Sequence, residues 1–320
     1  MNDNFRPCYV WPNKSFPFRV YFEDEKARIF IIENLQHNFE WLKKYSPKFR
    51  KNDHFFVILG WYYRDYLVEE ASSMFDALDL KKNNFHILFN DPNDKGLFNK
   101  YGFSGKTVNH NAFLDETLVM RPLELDKKFD AIYVARLIEW KRHYLAAGIP
   151  NLALVGGKTH GASASRNIPP HVYLNSSPLT PEEVCTKINE SRCGLVLSEM
   201  EGASFASSEY LLCGVPVVST ESKGGRDVWY NDYNAKIVAP NASAVKEAVE
   251  FFVANPRDPM IVRDQHIQQA NHYRENFVEL LHQTLLGCEI DYIDAAKYFK
   301  AHFFHKMRRS YSPPLDCIFS

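Results

Sequence analysis

The second half of the chain alternates short apolar runs with stretches of helical spacing. The apolar runs predict strands at residues 130–135, 152–155, 172–174, 193–197, 215–219 and 235–238. Helical periodicity predicts helices at 140–147, 243–253 and 260–287. Because strands and helices alternate at short spacing, we predict a parallel sheet that binds ligands at the carboxyl ends of its strands.

One helix start in this half carries a specific signal. Thr180 fits the N-cap position, Pro181 the first helical position and Glu183 the third. This order predicts a capping box, in which Thr180 and Glu183 each bond the backbone N–H of the other.

The first half has a less regular pattern. Apolar runs predict strands at 54–59 and 86–89, and helical spacing predicts helices at 39–45, 66–78 and 95–101. Residues 20–22 and 28–32 fit either two strands or a strand and a helix. Residues 108–113 lead towards a linker at 118–128, so two domains are expected in 320 residues.

Composition narrows the class of protein. Hydrophobic residues make up 45% of the chain and charged residues 24%, which predicts a packed core. The 38 basic and 39 acidic residues nearly cancel, which argues against nucleic-acid binding. Cys185, Cys193 and Cys213 lie in apolar segments and are interpreted as reduced core residues. We recognise no signal peptide and no bilayer-spanning apolar run, so a cytoplasmic protein is expected.

Two carboxylates, Glu201 and Glu209, lie between two predicted strands. Gly202 follows the first of them directly. The pattern predicts a loop and a short helix, with Glu201 at the helix start and Glu209 about two turns into it. A polar loop of this kind at the carboxyl end of a strand suits a sugar nucleotide better than a protein core.

Five motifs follow one another in order: Arg136 to Lys141, Leu152 to Gly157, Ser198 to Glu209, Gly214 to Val218 and Gly224 to Asp227. Together they resemble the nucleotide-binding half of family 4 glycosyltransferases, roughly over residues 108–240. The resemblance implies an α/β protein of the GT-B fold, with two Rossmann-like domains whose parallel sheets face a central cleft. It implies a reduced acceptor-side domain at 1–122, a nucleotide-sugar domain at 123–275 and terminal helices at 276–320 that pack back on the first domain.

By this resemblance, Arg136 and Lys141 hold the diphosphate of the donor, and Gly156 and Gly157 allow the ligand to approach the backbone. Breaking the bond to the anomeric carbon leaves negative charge on the β-phosphate, which preorganised cations stabilise in the transition state. The alternative interpretations are two solvated surface cations and a simple tight turn.

By the same resemblance, Glu209 accepts hydrogen bonds from the ribose hydroxyls, and Glu201 positions the donor sugar rather than acting as a nucleophile. The backbone from Gly202 to Phe205 is expected to present N–H groups at a helix N-terminus, which attract anions or hydroxyls. Ala203 stands where the family often has an aromatic residue, and Ser204 where it often has glycine. The sequence therefore leaves the identity of the donor sugar open.

Many relatives carry a histidine in the first domain that faces the donor sugar. His54, His86 and His110 are the candidates here, each interpreted first as structural. Trp61 and Tyr62 are candidates for stacking on a sugar or acceptor, with a place in the core as the favoured interpretation. No metal site and no cofactor are predicted, because the Arg–Lys pair makes a divalent cation unnecessary.

The leading hypothesis is a retaining glycosyltransferase of bacterial-type polysaccharide or glycoconjugate synthesis. It would move a sugar from a nucleotide-diphosphate sugar to a hydroxyl of a glycan, a lipid-linked or a small-molecule acceptor. The alternatives are a non-catalytic sugar-nucleotide-binding or partner subunit and a sugar-nucleotide epimerase. The aromatic and basic tail at 302–309 is interpreted either as a contact with the inner face of the membrane or as a segment packed on the first domain.

Overall fold

The computed structural model describes residues 9–10, 18–157, 164–305 and 315–320. The chain divides into two compact units, Met1–Leu114 with Ala270–Ser320 and Asp115–Gln269. The predicted borders at 122 and 275 lie a few residues further along the chain. Cys8 and residues 306–309 of the tail lie outside the described residues.

The described part of the first unit contains a six-stranded sheet with the order β1-β2-β3-β4-β5-β6. The strands are β1 Tyr9–Val10, β2 Phe18–Glu23, β3 Arg28–Glu33, β4 Asp53–Ile58, β5 Phe85–Phe89 and β6 Ser104–Thr107. Strands β3 to β6 run parallel, with helices α1 Phe39–Tyr45, α2 Asp65–Ala77 and α3 Asp94–Lys100 between them.

One edge of this sheet departs from the parallel arrangement of the other strands. Strand β2 runs antiparallel to both β1 and β3. Only four residues connect β2 to β3, whereas a parallel pair needs a crossover of about a dozen residues or more. The short turn therefore reverses the chain, and both ambiguous segments of the sequence become strands.

The core of the first unit is rich in aromatic rings from neighbouring strands. Phe55 stacks between Phe30 and Phe85, with ring centroids 5.0 and 4.4 Å apart. Beside this stack, the guanidinium of Arg28 donates two hydrogen bonds of 2.8 and 2.6 Å to the buried carboxylate of Asp53. Removing one partner of such a pair would leave an uncompensated buried charge.

The described part of the second unit contains a parallel sheet with the order β12-β11-β10-β7-β8-β9. Its strands are β7 Ala131–Val134, β8 Leu152–Val155, β9 Tyr173–Leu174, β10 Gly194–Val196, β11 Val217–Thr220 and β12 Ala235–Val238. Helices α4 Pro181–Asn189, α5 Phe205–Leu212 and α6 Ala242–Ala254 accompany them. The strand order reverses between β7 and β10, and open α/β sheets bind ligands beside such a reversal, at the carboxyl ends of the strands.

The predicted capping box of α4 is confirmed. The backbone N–H of Glu183 donates to the Thr180 hydroxyl at 3.2 Å, and the backbone N–H of Thr180 donates to the Glu183 carboxylate at 2.7 Å. Three further helices complete the described chain: α7 Pro259–Gly287, α8 Ala295–Ala301 and α9 Leu315–Ile318. None of the described helices has both the length and the apolar character needed to cross a bilayer.

The helix predicted at 140–147 is wrong. Two short 3-10 helices, Glu139–Lys141 and His143–Ala146, take its place. Arg142 separates them with a φ of 51°, in the left-handed region that an α-helix does not tolerate. The tertiary structure interrupts the helix here, because the Arg142 side chain donates hydrogen bonds to residues at the ends of two neighbouring strands.

Candidate functional site

The candidate residues of the second unit follow the carboxyl ends of its central strands. Arg136 and Lys141 come after β7, Gly156 and Gly157 after β8, and Glu201 after β10. These strands flank the reversal in strand order. Ligand-binding loops of α/β proteins have this position.

Lys141 and Glu201 form an ion pair between the ammonium and the carboxylate. Each side chain is only 15% exposed, so the pair is partly shielded from water. The Ser198 hydroxyl donates a 2.6 Å hydrogen bond to the same carboxylate oxygen, Oε1. The structure thus brings together two residues that lie sixty positions apart in sequence.

Tyr133, on β7, holds the Lys141 backbone in place. Its hydroxyl donates to the Lys141 carbonyl at 2.6 Å and accepts from the backbone N–H of Leu197 at 3.3 Å. Burial raises the pKa of Tyr133, so the phenol stays protonated and keeps its role as donor. The backbone beside Lys141 is thereby tied to the end of β10.

Two arginines cross-link the ends of β10 and β11 next to the ion pair. Arg142 donates to the Leu197 carbonyl at 2.6 Å and to the Thr220 hydroxyl at 2.8 Å. Arg226 is fully buried and donates to the carbonyls of Ser198 and Thr220 at 2.9 and 2.5 Å. The two guanidiniums therefore fix the strand ends from which the loop of Glu201 starts.

The glycines at 224 and 225 pack against the loop that carries Glu201. The Glu201 N–H donates to the Lys223 carbonyl at 3.1 Å, and the Gly225 N–H donates to the Gly202 carbonyl at 2.7 Å. Gly224 has a φ of 102°, and a Cβ at this position would overlap the Glu201 carbonyl oxygen. The Gly224-Gly225-Arg226-Asp227 motif therefore shapes and holds the Glu201 loop.

Arg136 lies on the surface, with its guanidinium 5.6 Å from the ring centre of Trp140, which is itself 58% exposed. Its backbone passes close to Gly156, where a Cβ would overlap the Ala135 carbonyl oxygen. The Gly156 N–H donates to the Asn175 side chain at 2.8 Å. No described residue beyond its chain neighbours approaches the Cβ position of Gly157. The absence of a side chain at Gly156 is thus required by the neighbouring backbone.

The position predicted for Glu201, at a helix start, is wrong. Helix α5 begins at Phe205, and Glu201 lies in the loop before it. Ser204 separates the two with a φ of 54° and ψ of 96°, and its side chain makes no capping hydrogen bond. Such a backbone costs a non-glycine residue free energy. Ala203, beside it, is buried.

Glu209 is the fifth residue of α5, little more than one turn into the helix. Desolvation, with a smaller contribution from the nearby Cys185, raises the pKa of its carboxyl group to about 7. A partly buried carboxyl group of this kind gains most from a ligand that donates hydrogen bonds to it.

The described cysteines are all free thiols. The sulfurs of Cys185 on α4 and Cys213 after α5 lie 3.8 Å apart, and Cys193 is buried directly before β10. These three are buried and reduced, as predicted.

The candidate histidines of the first unit lie at opposite ends of its parallel strands. His54 and His86 lie near the amino ends of β4 and β5, with Nδ1 and Nε2 3.1 Å apart, and Cys288 Sγ lies 3.4 Å from His54 Nε2. His110 is buried after the carboxyl end of β6, and burial lowers its pKa to about 4. Of these three, His110 alone thus lies at the carboxyl ends of the strands, where ligands bind in open α/β sheets.

Other candidates of the first unit belong to its packing. Trp61 packs on the aromatic core and contacts the His37 ring at 4.5 Å between centroids. In the described part of the tail, Phe304 is buried against Phe113 and Phe277. A membrane contact through 302–309 stays a prediction. Among the described residues, no three His, Cys, Asp or Glu side chains are grouped as metal ligands.

Sequence reasoning missed the residues whose side chains fix the positions of Lys141 and Glu201. Tyr133 and Arg142 belong to no motif, and Ser198 was noted only as the start of the motif that ends at Glu209. Arg226 lies in a motif that fits either a contact with the ligand cleft or a structural turn. Burial of a charged residue cannot be read from one sequence. The single available signal was the dense run of Gly, Arg and Asp after β11, at the carboxyl end of a strand.

No protein-family model matches the chain, and a sequence comparison with curated proteins finds no significant match. Several solved structures are similar. HepE from Anabaena in complex with UDP has a TM-score of 0.57 and 11% identity, over 79% of this chain and 78% of that one. Sucrose-phosphate synthase from Thermosynechococcus elongatus has a TM-score of 0.55 and 14% identity, over 81% and 74%.

A third example is α,α-trehalose-phosphate synthase (UDP-forming) from Burkholderia vietnamiensis. Its TM-score is 0.52 at 13% identity, over 79% of this chain and 74% of that one. At such low identity the similarity concerns the fold. Together with the two sheets of Rossmann type, it shows that this α/β chain has the GT-B fold.

Proposed function

We propose that this protein is a retaining glycosyltransferase of the family 4 type, which transfers a sugar from a nucleoside-diphosphate sugar to an acceptor hydroxyl. The observation that carries the proposal is the shielded Lys141–Glu201 pair, which lies at the strand reversal of the parallel sheet in a GT-B fold. It supplies a cation for phosphate and a carboxylate for sugar hydroxyls at one place. UDP is bound by HepE, and the trehalose-phosphate synthase is UDP-forming, so a uridine nucleotide is the first donor to test.

In the proposed reaction, Arg136 and Lys141 bind the diphosphate and stabilise the charge that develops on the leaving β-phosphate. Glu209 accepts hydrogen bonds from the ribose hydroxyls, and Glu201 with the backbone from Gly202 to Phe205 orients the sugar. The acceptor attacks on the face from which the leaving group departs, and the β-phosphate takes its proton. Gly156 and Gly157 keep side chains away from the donor.

The test is turnover in Lys141→Ala and Arg136→Ala, measured as nucleoside-diphosphate release from a panel of donor sugars over a panel of acceptors. We expect each substitution to lower turnover, because it removes about 3 kcal/mol of transition-state stabilisation. This is the effect of removing one oxyanion donor. Lys246→Ala is the control, because this lysine lies on α6 and pairs with Glu250. Turnover near the wild-type value in both site variants would refute the assignment.

The same measurements separate the alternatives. Nucleotide binding without release of diphosphate on any acceptor would favour a non-catalytic binding subunit. A change in the stereochemistry of the donor sugar without acceptor, followed by NMR, would favour an epimerase. The proposal also includes a role in polysaccharide or glycoconjugate synthesis. It further includes a cytoplasmic location, with or without contact with the membrane, which fractionation of cells that produce the protein would test.

A further inference from the structure

The proposed phosphate-binding lysine already has an anionic partner. Glu201 pairs with the Lys141 ammonium in a partly buried position. A diphosphate that binds to Lys141 would bring at least one more negative charge beside this carboxylate. Like charges in a shielded site repel each other. Lys141 therefore cannot bind the Glu201 carboxylate and the diphosphate together as strongly as it binds either one alone.

The surrounding structure allows the side chains to exchange while the backbones stay fixed. The Lys141 carbonyl is held by Tyr133, and the Glu201 N–H by the Lys223 carbonyl. Lysine has a flexible four-carbon stem, which lets its ammonium move between neighbouring anions. Glu201 keeps the Ser198 hydroxyl as a donor after the ammonium leaves.

We propose that Lys141 exchanges Glu201 for the donor diphosphate, and that Glu201 thereby makes the site select a nucleoside-diphosphate sugar over the free nucleoside diphosphate. A ligand that carries the sugar offers hydroxyl donors to the released carboxylate. A ligand without the sugar leaves that carboxylate beside the phosphate with no new partner, which costs binding free energy. The inference rests on the proposed function, because it assumes that sugar and diphosphate lie on opposite sides of this pair.

Such an exchange favours release of the product. Donor and product differ by the sugar alone, so a carboxylate that penalises the bare diphosphate weakens product binding more than donor binding. Specificity of this kind is built from a repulsive element as well as an attractive one. Glu201 is therefore a specificity-determining residue in addition to its contact with the sugar.

The test compares the wild-type protein with Glu201→Gln by isothermal titration calorimetry, using UDP, UDP-glucose and inorganic pyrophosphate. The substituted side chain keeps its size and an acceptor for Ser198, but it has no charge. We expect affinity for UDP and for pyrophosphate to rise roughly three- to tenfold, the range of one modest ion pair. Affinity for UDP-glucose should stay constant or fall, so that the preference for the sugar nucleotide decreases.

Two controls show whether the effect comes from the pair. Glu199→Gln removes the same charge from an exposed side chain in the same loop, and should leave all three affinities unchanged. Adding Lys141→Gln to Glu201→Gln should abolish the gain, because the exchange needs the ammonium. Equal melting temperatures of the variants in ligand-free buffer exclude a folding defect.

The outcomes distinguish the inference from the proposed function. If UDP binds more tightly than pyrophosphate but Glu201→Gln changes neither affinity, the exchange is refuted and nucleotide binding stands. If Glu201→Gln strengthens pyrophosphate binding and UDP binds no better than pyrophosphate, the exchange stands and the nucleotide function fails. Binding of neither anion to any variant would overturn both.

Discussion

At the scale of single residues, the site depends on groups whose environment changes their chemistry. Ser204 adopts a backbone conformation that favours glycine, directly before α5. Glu209 is held in surroundings that disfavour its charge, which raises its pKa to about 7. Strain and desolvation of this kind are common where a ligand will be bound, because the ligand supplies the missing partners.

The pKa of Glu209 predicts how donor binding depends on pH. Ribose hydroxyls donate most strongly to the ionised carboxylate, and that form dominates above about pH 7. Binding should therefore release a proton, and affinity for UDP-glucose should rise between about pH 6 and pH 8. UDP-glucose is the suitable ligand, because its diphosphate does not titrate in this range.

Calorimetry at several pH values, with Glu209→Gln as the comparison, measures this effect. The variant should bind more weakly at high pH and show a flatter profile. An affinity that falls with rising pH would refute the role of Glu209.

The stability of the protein should change with pH in the opposite direction. A raised pKa means that the folded state holds a proton which the unfolded state has lost. The free energy of unfolding should therefore fall as pH rises from the ordinary carboxyl pKa of 4.5 through about 7.

At the scale of elements, the second sheet is held together by side chains that connect its strand ends. Arg142 and Arg226 join β10 to β11, and Tyr133 joins β7 to β10. Tyr210 on α5 adds a further link, because its hydroxyl accepts from the Val134 N–H at 2.7 Å. These links position the loops that carry Lys141 and Glu201.

The packing of α5 on the sheet requires glycine at the start of β10. A Cβ at Gly194 would overlap the ring of Tyr210. Gly194→Ala should lower the free energy of unfolding by about 1–3 kcal/mol, as expected for overpacking in a core. Urea denaturation of this variant measures the loss.

Gly157→Ala is the control for that experiment, because its Cβ position has no atom of the described residues within 4 Å apart from its neighbours in the chain. It should change stability far less than Gly194→Ala. Combining Gly194→Ala with Tyr210→Leu tests the cause, since the two changes should then be less than additive. Full additivity would contradict a direct clash.

At the scale of the whole molecule, the GT-B fold brings two units of different character into one chain. The second unit has a wholly parallel sheet in its described part, and the first has an antiparallel edge. The formal net charge is −1, so the proposed donor binding would depend on local cations rather than on a general positive field.

This dependence predicts that nucleotide binding needs no divalent metal. UDP at a hundredfold excess over its dissociation constant should stabilise the native state by about 2.7 kcal/mol and raise the melting temperature. We expect EDTA to leave both this shift and turnover unchanged, because Lys141 and Arg136 supply the positive charge. A shift that disappears in EDTA and returns with Mg²⁺ would contradict the prediction, and Lys141→Ala should reduce the shift in either buffer.

Most elements of the chain could be predicted from its sequence. The strand at 152–155, the helix at 39–45 and the capping box at Thr180 were predicted at their observed positions, because local periodicity and capping chemistry depend on neighbouring residues. Strand β6 was missed because Ser-Gly-Lys-Thr has no apolar pattern. The helix at 140–147 was predicted wrongly because two strands distant in sequence bind Arg142.

The sequence by itself determined the alternation of strands and helices, and with it the fold class and the candidate residues Lys141, Glu201 and Glu209. These depend on local pattern and on residue types that suit phosphate and sugar. Only the tertiary structure decided that Lys141 pairs with Glu201 and that buried arginines hold the loops around them. The physical reason is that burial, charge pairing and backbone strain depend on which distant segments meet, and the pattern along one chain does not specify those contacts.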